Sequence, residues 1–147
     1  TRVNVLSNPI GADSADVLIQ VFEQNSNLRT LLGIEEGVTE VNLSKKNVDP
    51  GQAKILAVEL KASRAVAVLA SLNLSGNKIT NYDRDLSGLL ALGEAIVPSK
   101  TLKSVDLSDC GIKVKGVTEV AKFISAGAAL AVVNVIGNAI GEPGARS

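Results

Sequence analysis

Along residues 69–79, apolar side chains take the first, fourth, sixth and eleventh places (Leu69, Leu72, Leu74 and Ile79), and Asn77 takes the ninth. Leu72, Asn73 and Leu74 point inward, outward and inward, as a short strand requires. Asn77 can turn its side-chain amide into the backbone where the chain leaves that strand. The same frame fits Val3, Val5, Asn8 and Ile10, and again Val38, Val41, Leu43, Lys46 and Val48. It returns as Leu102, Val105, Leu107, Cys110 and Ile112, and last as Leu130, Val133, Val135, Asn138 and Ile140. Such self-similarity predicts strand-plus-helix units that bury their apolar faces by stacking on their neighbours.

The segments between frames carry a second period. Counted from the end of each frame, the same offsets select Ala15, Leu18, Ile19 and Phe22; Ala53, Leu56, Ala57 and Leu60; and Val117, Val120, Ala121 and Ile124. This is the spacing of one apolar helix face. After Ile79 the pattern arrives five residues late, as Leu89, Leu92, Gly93 and Ile96, which predicts an insertion before that helix. Frame spacing agrees: Leu102 to Leu130 is 28 residues, and Leu69 to Leu102 is 33. Val38 to Leu69 is 31, with the three extra residues near Ser63-Arg64-Ala65. The first helix is expected over 13–24 with Asp13 or Ser14 as its cap. The second should start at Asp49-Pro50, where Asp caps and Pro suits the first turn.

One stretch is irregular. Leu28, Leu31 and Leu32 start a strand on schedule, yet Val38 starts another with no helix between them. Parallel neighbours need a connection of about a dozen residues or more. Val38 to Ser44 is favoured for the ladder because it leads directly into the helix at Asp49, and Leu28 to Leu32 would then begin a hairpin turning at Glu35-Glu36-Gly37.

On the frames at 69–79, 102–112 and 130–140 and the Ala53/Leu56/Ala57/Leu60 helix signature, the chain resembles the ribonuclease-inhibitor-like class of leucine-rich repeats. The resemblance implies an α/β solenoid with a curved parallel sheet on its concave side and helices on its convex side. It implies a single domain over 1–147, with about five repeats, acting as a non-catalytic scaffold for a protein partner. The opening frame lacks its first residue, residues 141–147 stop where a helix is due, and no polar terminal cap is recognisable. The expectation is a segment of a longer array, with end layers at Val3 and Ile140 available for end-to-end self-association.

Composition narrows the function. The 46% hydrophobic content suits thin, uniform layers, since there are only two Phe, one Tyr and no Trp. Fifteen basic and fifteen acidic residues cancel, so no net charge draws in nucleic acid or an anionic membrane. No apolar run is long enough to span a bilayer. The single cysteine, Cys110, allows no internal disulfide; at the ninth place of its frame it reads as a buried turn residue in a reduced, cytoplasmic setting. With no histidine, the commonest general base and metal ligand is missing and no Ser-His-Asp or Cys-His arrangement can form. Asp85, Asp106 and Asp109 lack a ligand loop around them. No enzyme, cofactor or metal is expected.

Two surfaces are candidates for the partner. Asn42, Asn73, Asp106 and Asn134 should form a ladder on the concave face, with Val132 and Ile136 as an apolar end. The insertion brings Tyr82, Asp83, Arg84 and Asp85 together, and an exposed aromatic beside an arginine is an interface signature. Plainer readings stay open, because Asn/Asp-Leu-Ser is generic for this class and Asp83 or Asp85 can simply cap a helix. Two other functions are also open. One is a GTPase activator similar to the Ran GTPase-activating protein, with Arg84 as its only candidate residue. The other is a structural spacer within a large receptor or assembly.

Overall fold

The alternating triplets form a parallel sheet: β1 (Glu40–Asn42), β2 (Ser71–Asn73), β3 (Ser104–Asp106) and β4 (Val132–Asn134), in the order β1-β2-β3-β4. This is seen in a computed structural model that describes residues 3–64, 66–126 and 129–138. Four helices follow the apolar periods: α1 (Gly11–Gln24), α2 (Pro50–Ala62), α3 (Ser87–Ile96) and α4 (Val114–Ser125). Register is unbroken, since Val41 pairs with Leu72, Leu72 with Val105, and Val105 with Val133. The result is the expected α/β solenoid. Its core lies between layers, where Leu72, Leu74, Val105 and Leu107 from the strands meet Ala53, Leu56, Leu89, Leu92 and Ile96 from the helices.

The ninth-place asparagines join one repeat to the next. Asn77 Oδ1 accepts the N–H groups of Lys46 (3.0 Å) and Val48 (2.9 Å) in the preceding turn. Its Nδ2 donates to the carbonyls of Leu43 (2.8 Å) and Leu74 (2.9 Å). Asn138 repeats the pattern on Cys110, Ile112, Leu107 and Val135. Between them Cys110 has only a thiol to offer, which donates toward the Leu74 carbonyl at 3.1 Å. Burial pushes that thiol up to about 11. The eighth place of every frame, Ser7, Lys45, Gly76, Asp109 and Gly137, has a left-handed backbone. Only two of the five are glycine, so this requirement of the turn is hard to see in the sequence.

Three local expectations need correction. Leu28 to Leu32 does not form a hairpin with Val38. Leu32 instead bridges antiparallel to Asn4, with Val3 N–H donating to Thr30 O and Gly33 N–H to Val3 O. Left-handed Gly33 and Gly37 redirect the chain, and Thr30 Oγ1 holds the bend by accepting from Leu32 and Ile34. The first frame copy is therefore tied to this bend, while β1 within Val38 to Ser44 is the ladder strand. Second, α1 begins at Gly11 with Ile10 as its N-cap residue and no side-chain cap, so neither Asp13 nor Ser14 serves. By contrast, α2 starts as expected, with Asp49 accepting from Gln52 N–H and Pro50 in the first turn.

The third correction concerns α4. Gly116, Val120 and Phe123 are buried, while Ala121 and Ile124 are exposed. The helix is turned so that its largest apolar side chain enters the core. Gly93 on α3 makes the room, since a Cβ there would stand 2.8 Å from the Phe123 ring.

Two polar residues hold the N-terminal units to α2. Arg64, among the three extra residues, donates to the carbonyls of Phe22 (2.8 Å), Asn25 (3.0 Å) and Leu28 (2.8 Å) at the end of α1. Its guanidinium also stacks 4.1 Å from the Phe22 ring centroid. Buried Glu59 of α2 accepts from Leu31 N–H. Burial raises its carboxyl to about 7, against the lowering effect of the Thr30 hydroxyl and the Leu31 and Leu32 N–H groups.

Candidate functional site

The strand register places Asn42, Asn73, Asp106 and Asn134 side by side across the four strands. Each folds its Oδ1 back onto the backbone two residues on. Asn42 accepts from Ser44 N–H (3.0 Å), Asn73 from Ser75 (2.9 Å), Asp106 from Ser108 (2.9 Å) and Asn134 from Ile136 (3.0 Å). These Asx turns end the strands, and they also orient the side chains. With each amide oxygen fixed by an N–H donor, the amide nitrogens of Asn42, Asn73 and Asn134 have no partner among the described residues. The ladder therefore presents aligned donors interrupted by one carboxylate. At its far end Val132 and Ile136 are 57% and 77% exposed, an apolar step beside the polar row.

The insertion is built differently. Asn81, Tyr82 and Asp83 have consecutive left-handed φ values of 47°, 58° and 65°, a costly conformation that persists only where the surroundings hold it. Here buried Thr80 does so: its hydroxyl accepts from Asp83 N–H (3.0 Å) and donates to Asp83 Oδ1 (3.1 Å). The Asp83 carboxylate then reaches the next repeat and accepts from Lys113 N–H (3.1 Å) and Gly116 N–H (2.8 Å). These are free donors at the start of α4, where no local side chain caps. Asp85 accepts from the Ser87 N–H and hydroxyl at the start of α3. The two acids of the insertion are thus engaged by helix ends.

Tyr82 and Arg84 stay at the surface. The Tyr82 ring, 40% exposed, lies against Gly111, where a Cβ would come within 2.9 Å of it. Lys78 Nζ and Lys113 Nζ stand 5.4 and 6.0 Å from the ring centroid. Sequence reasoning passed over these two lysines and Lys45, whose stem lies close over Gly76. Their signal was positional only: all three sit just beyond the inward strand residues of their frames. The structure therefore makes two surfaces, a concave ladder and an insertion on the strand-to-helix edge. On the helix side, a cavity of about 450 Å³ opens between α3 and α4, lined by Leu89, Leu90, Gly93, Val97 and Phe123.

A family model described as Leucine Rich repeat matches residues 68–81 and 99–121. These stretches contain β2 and β3 with their turns, Cys110 and most of α4. The chain carries leucine-rich repeats. Leucine-rich repeats generally serve as non-catalytic interaction modules and commonly bind proteins. No curated protein matches the chain. No helix among the described residues is long and apolar enough to cross a membrane.

Proposed function

We propose that these leucine-rich repeats are of the ribonuclease-inhibitor-like kind and form one domain of about five repeats. In this reading the domain is a non-catalytic scaffold that holds a protein partner against its concave ladder and its inserted loop, in a cytoplasmic setting. The observation that carries the reading is the fixed orientation of Asn42, Asn73 and Asn134, whose amide donors are aligned by backbone hydrogen bonds before any partner arrives. Preorganised polar groups lose little freedom on binding, and they suit the carbonyls of a protein surface. Exposed Val132 and Ile136 add an apolar contact at one end.

The GTPase-activator alternative gains nothing from the site. Arg84 lies between the two matched stretches, on a loop whose acids hold helix ends. End-to-end association of copies remains part of the proposal. Val3 is exposed, and Ile140 lies outside the described residues.

A photo-crosslinking residue at position 73, compared with one at position 54 on α2, tests the scaffold reading. Protein adducts formed at 73 and weakened by Asn42→Ala are expected. Equal adduct patterns at 73 and 54 would overturn it.

A further inference from the structure

We propose that the strand-to-helix edge is a docking surface for an acidic segment of the protein partner, which names the partner class for the scaffold reading and rests on it. Lys45, Lys46, Lys78, Arg84, Lys113 and Lys115 all lie on this edge, and all are exposed. None has a carboxylate partner among the described residues. Elsewhere Lys54 pairs with Asp16 at 2.6 Å, Lys61 with Glu94 at 3.5 Å, Lys122 with Glu119 at 3.1 Å, and Arg29 with Glu36. Arg64 is held by carbonyls, while Lys100 and Lys103 on the opposite edge have no ion pair among the described residues. Six of the eight cations with neither a carboxylate nor a carbonyl partner among the described residues therefore lie on one edge of a chain whose formal net charge is zero.

The acids nearby keep their charge and offset part of this field, but most of them turn carboxylate oxygens to backbone donors rather than to the ammonium groups. Asp49 caps α2, Asp83 caps α4 and Asp85 holds the start of α3. Asp106 is folded onto Ser108, which leaves Asp109 as the exposed carboxylate of these turns among the described residues. Lys113 and Lys115 also sit at the positive end of the α4 dipole, where a cation reduces helix stability. Their placement adds to the local field at the expense of the helix.

Tyr82 supplies the anchor. Its ring lies against Gly111 near two ammonium groups and stays partly exposed, with a phenol able to donate to a carboxylate. From the β1 turn to the β3 turn the edge spans roughly 10 Å at the sheet, the length of about three extended residues. A nucleic acid is the weaker fit. Single strands are held by successive aromatic platforms, and this edge has one.

The test uses the whole chain and a short fluorescein-labelled oligoglutamate peptide, read by anisotropy. Binding at low salt that fades as salt is raised is expected. Lys78→Glu with Lys113→Glu, and separately Lys45→Glu with Lys46→Glu, should each weaken it about tenfold or more. Lys100→Glu with Lys103→Glu, on the opposite edge, should leave it unchanged. Circular dichroism confirms that each variant is folded. Absence of binding by the unaltered chain, equal loss in the opposite-edge variant, or tighter binding of oligothymidylate than of oligoglutamate would each overturn the proposal. If position 73 still forms its adducts in those cases, the edge alone has failed. Loss of those adducts would instead remove the scaffold reading.

Discussion

Two hydrogen bonds enter the oxygen of Asn77 and two strong ones leave its nitrogen, so this side chain completes both its own turn and the preceding one. Removing it strands buried N–H and C=O groups, each costing about 1–3 kcal/mol. Asn77→Ala is expected to lower the free energy of unfolding in urea by about 3 kcal/mol or more. Asn138→Ala, on the less buried last repeat, should cost less. Glu59 gives a pH dependence of definite sign. Its carboxyl titrates near 7 in the folded chain, against 4.5 for the free group. The folded state therefore binds that proton more tightly, and the stability this provides is complete below about pH 4.5 and lost as pH rises through 7. The loss is at most about 3 kcal/mol. Urea midpoints at pH 5 and pH 8 should differ more for the unaltered chain than for Glu59→Gln, whose neutral amide does not titrate. At this scale the sequence showed that the ninth-place asparagine closes a turn. It did not show that the bonds run between repeats, because a frame read along one repeat carries no information about its neighbour. Glu59 and Arg64 were missed for a related reason. Each acts on a bend or helix end that no periodicity describes.

Helix α4 takes its N-terminal cap from thirty residues back, through Asp83 of the insertion. Asp83→Ala should destabilise the chain by about 1 kcal/mol. The loss should appear first as faster amide exchange in residues 113–117, with α2 unaffected. Packing between α3 and α4 depends on Gly93. Gly93→Ala forces the Phe123 ring to move and should cost about 1–3 kcal/mol through overpacking. The insertion itself was legible from a five-residue delay in the apolar period, and so were the starts of α2 and the ladder strand β1. The rotation of α4 was not. Its offsets matched an apolar face at Val117, Ala121 and Ile124, but the space opposite Gly93 accepts Phe123, and side-chain volume outweighs period there. The antiparallel bridge of Asn4 to Leu32 was also hidden, because the first frame copy reads like any other until Thr30 and two left-handed glycines redirect its partner.

Across the whole molecule, charge is balanced in sum and uneven in place. Paired charges on exposed helices contribute little to stability. The thermal midpoint is therefore expected to move little between low and high salt, in contrast to the binding of an acidic peptide. Fold class was legible throughout, since frame, helix period and repeat spacing agree on one architecture. The partner was not. Within a solenoid the same residues that satisfy the turns also line the surface, so an Asn ladder reads as scaffold whether or not anything binds it. The cationic edge became visible only when the acids beside it proved to be engaged with backbone. The stitching by Asn77 and Asn138 also bears on how the chain is made. Two N–H donors of the turn at Lys46 to Val48 lack their shared acceptor until Asn77 has been synthesised, and the turn at Cys110 to Ile112 waits in the same way for Asn138. On the ribosome each unit would stay unfinished until its successor emerges. Folding should trail emergence from the ribosome by one full repeat, and a chain cut short just before residue 77 would leave the second turn open to proteases.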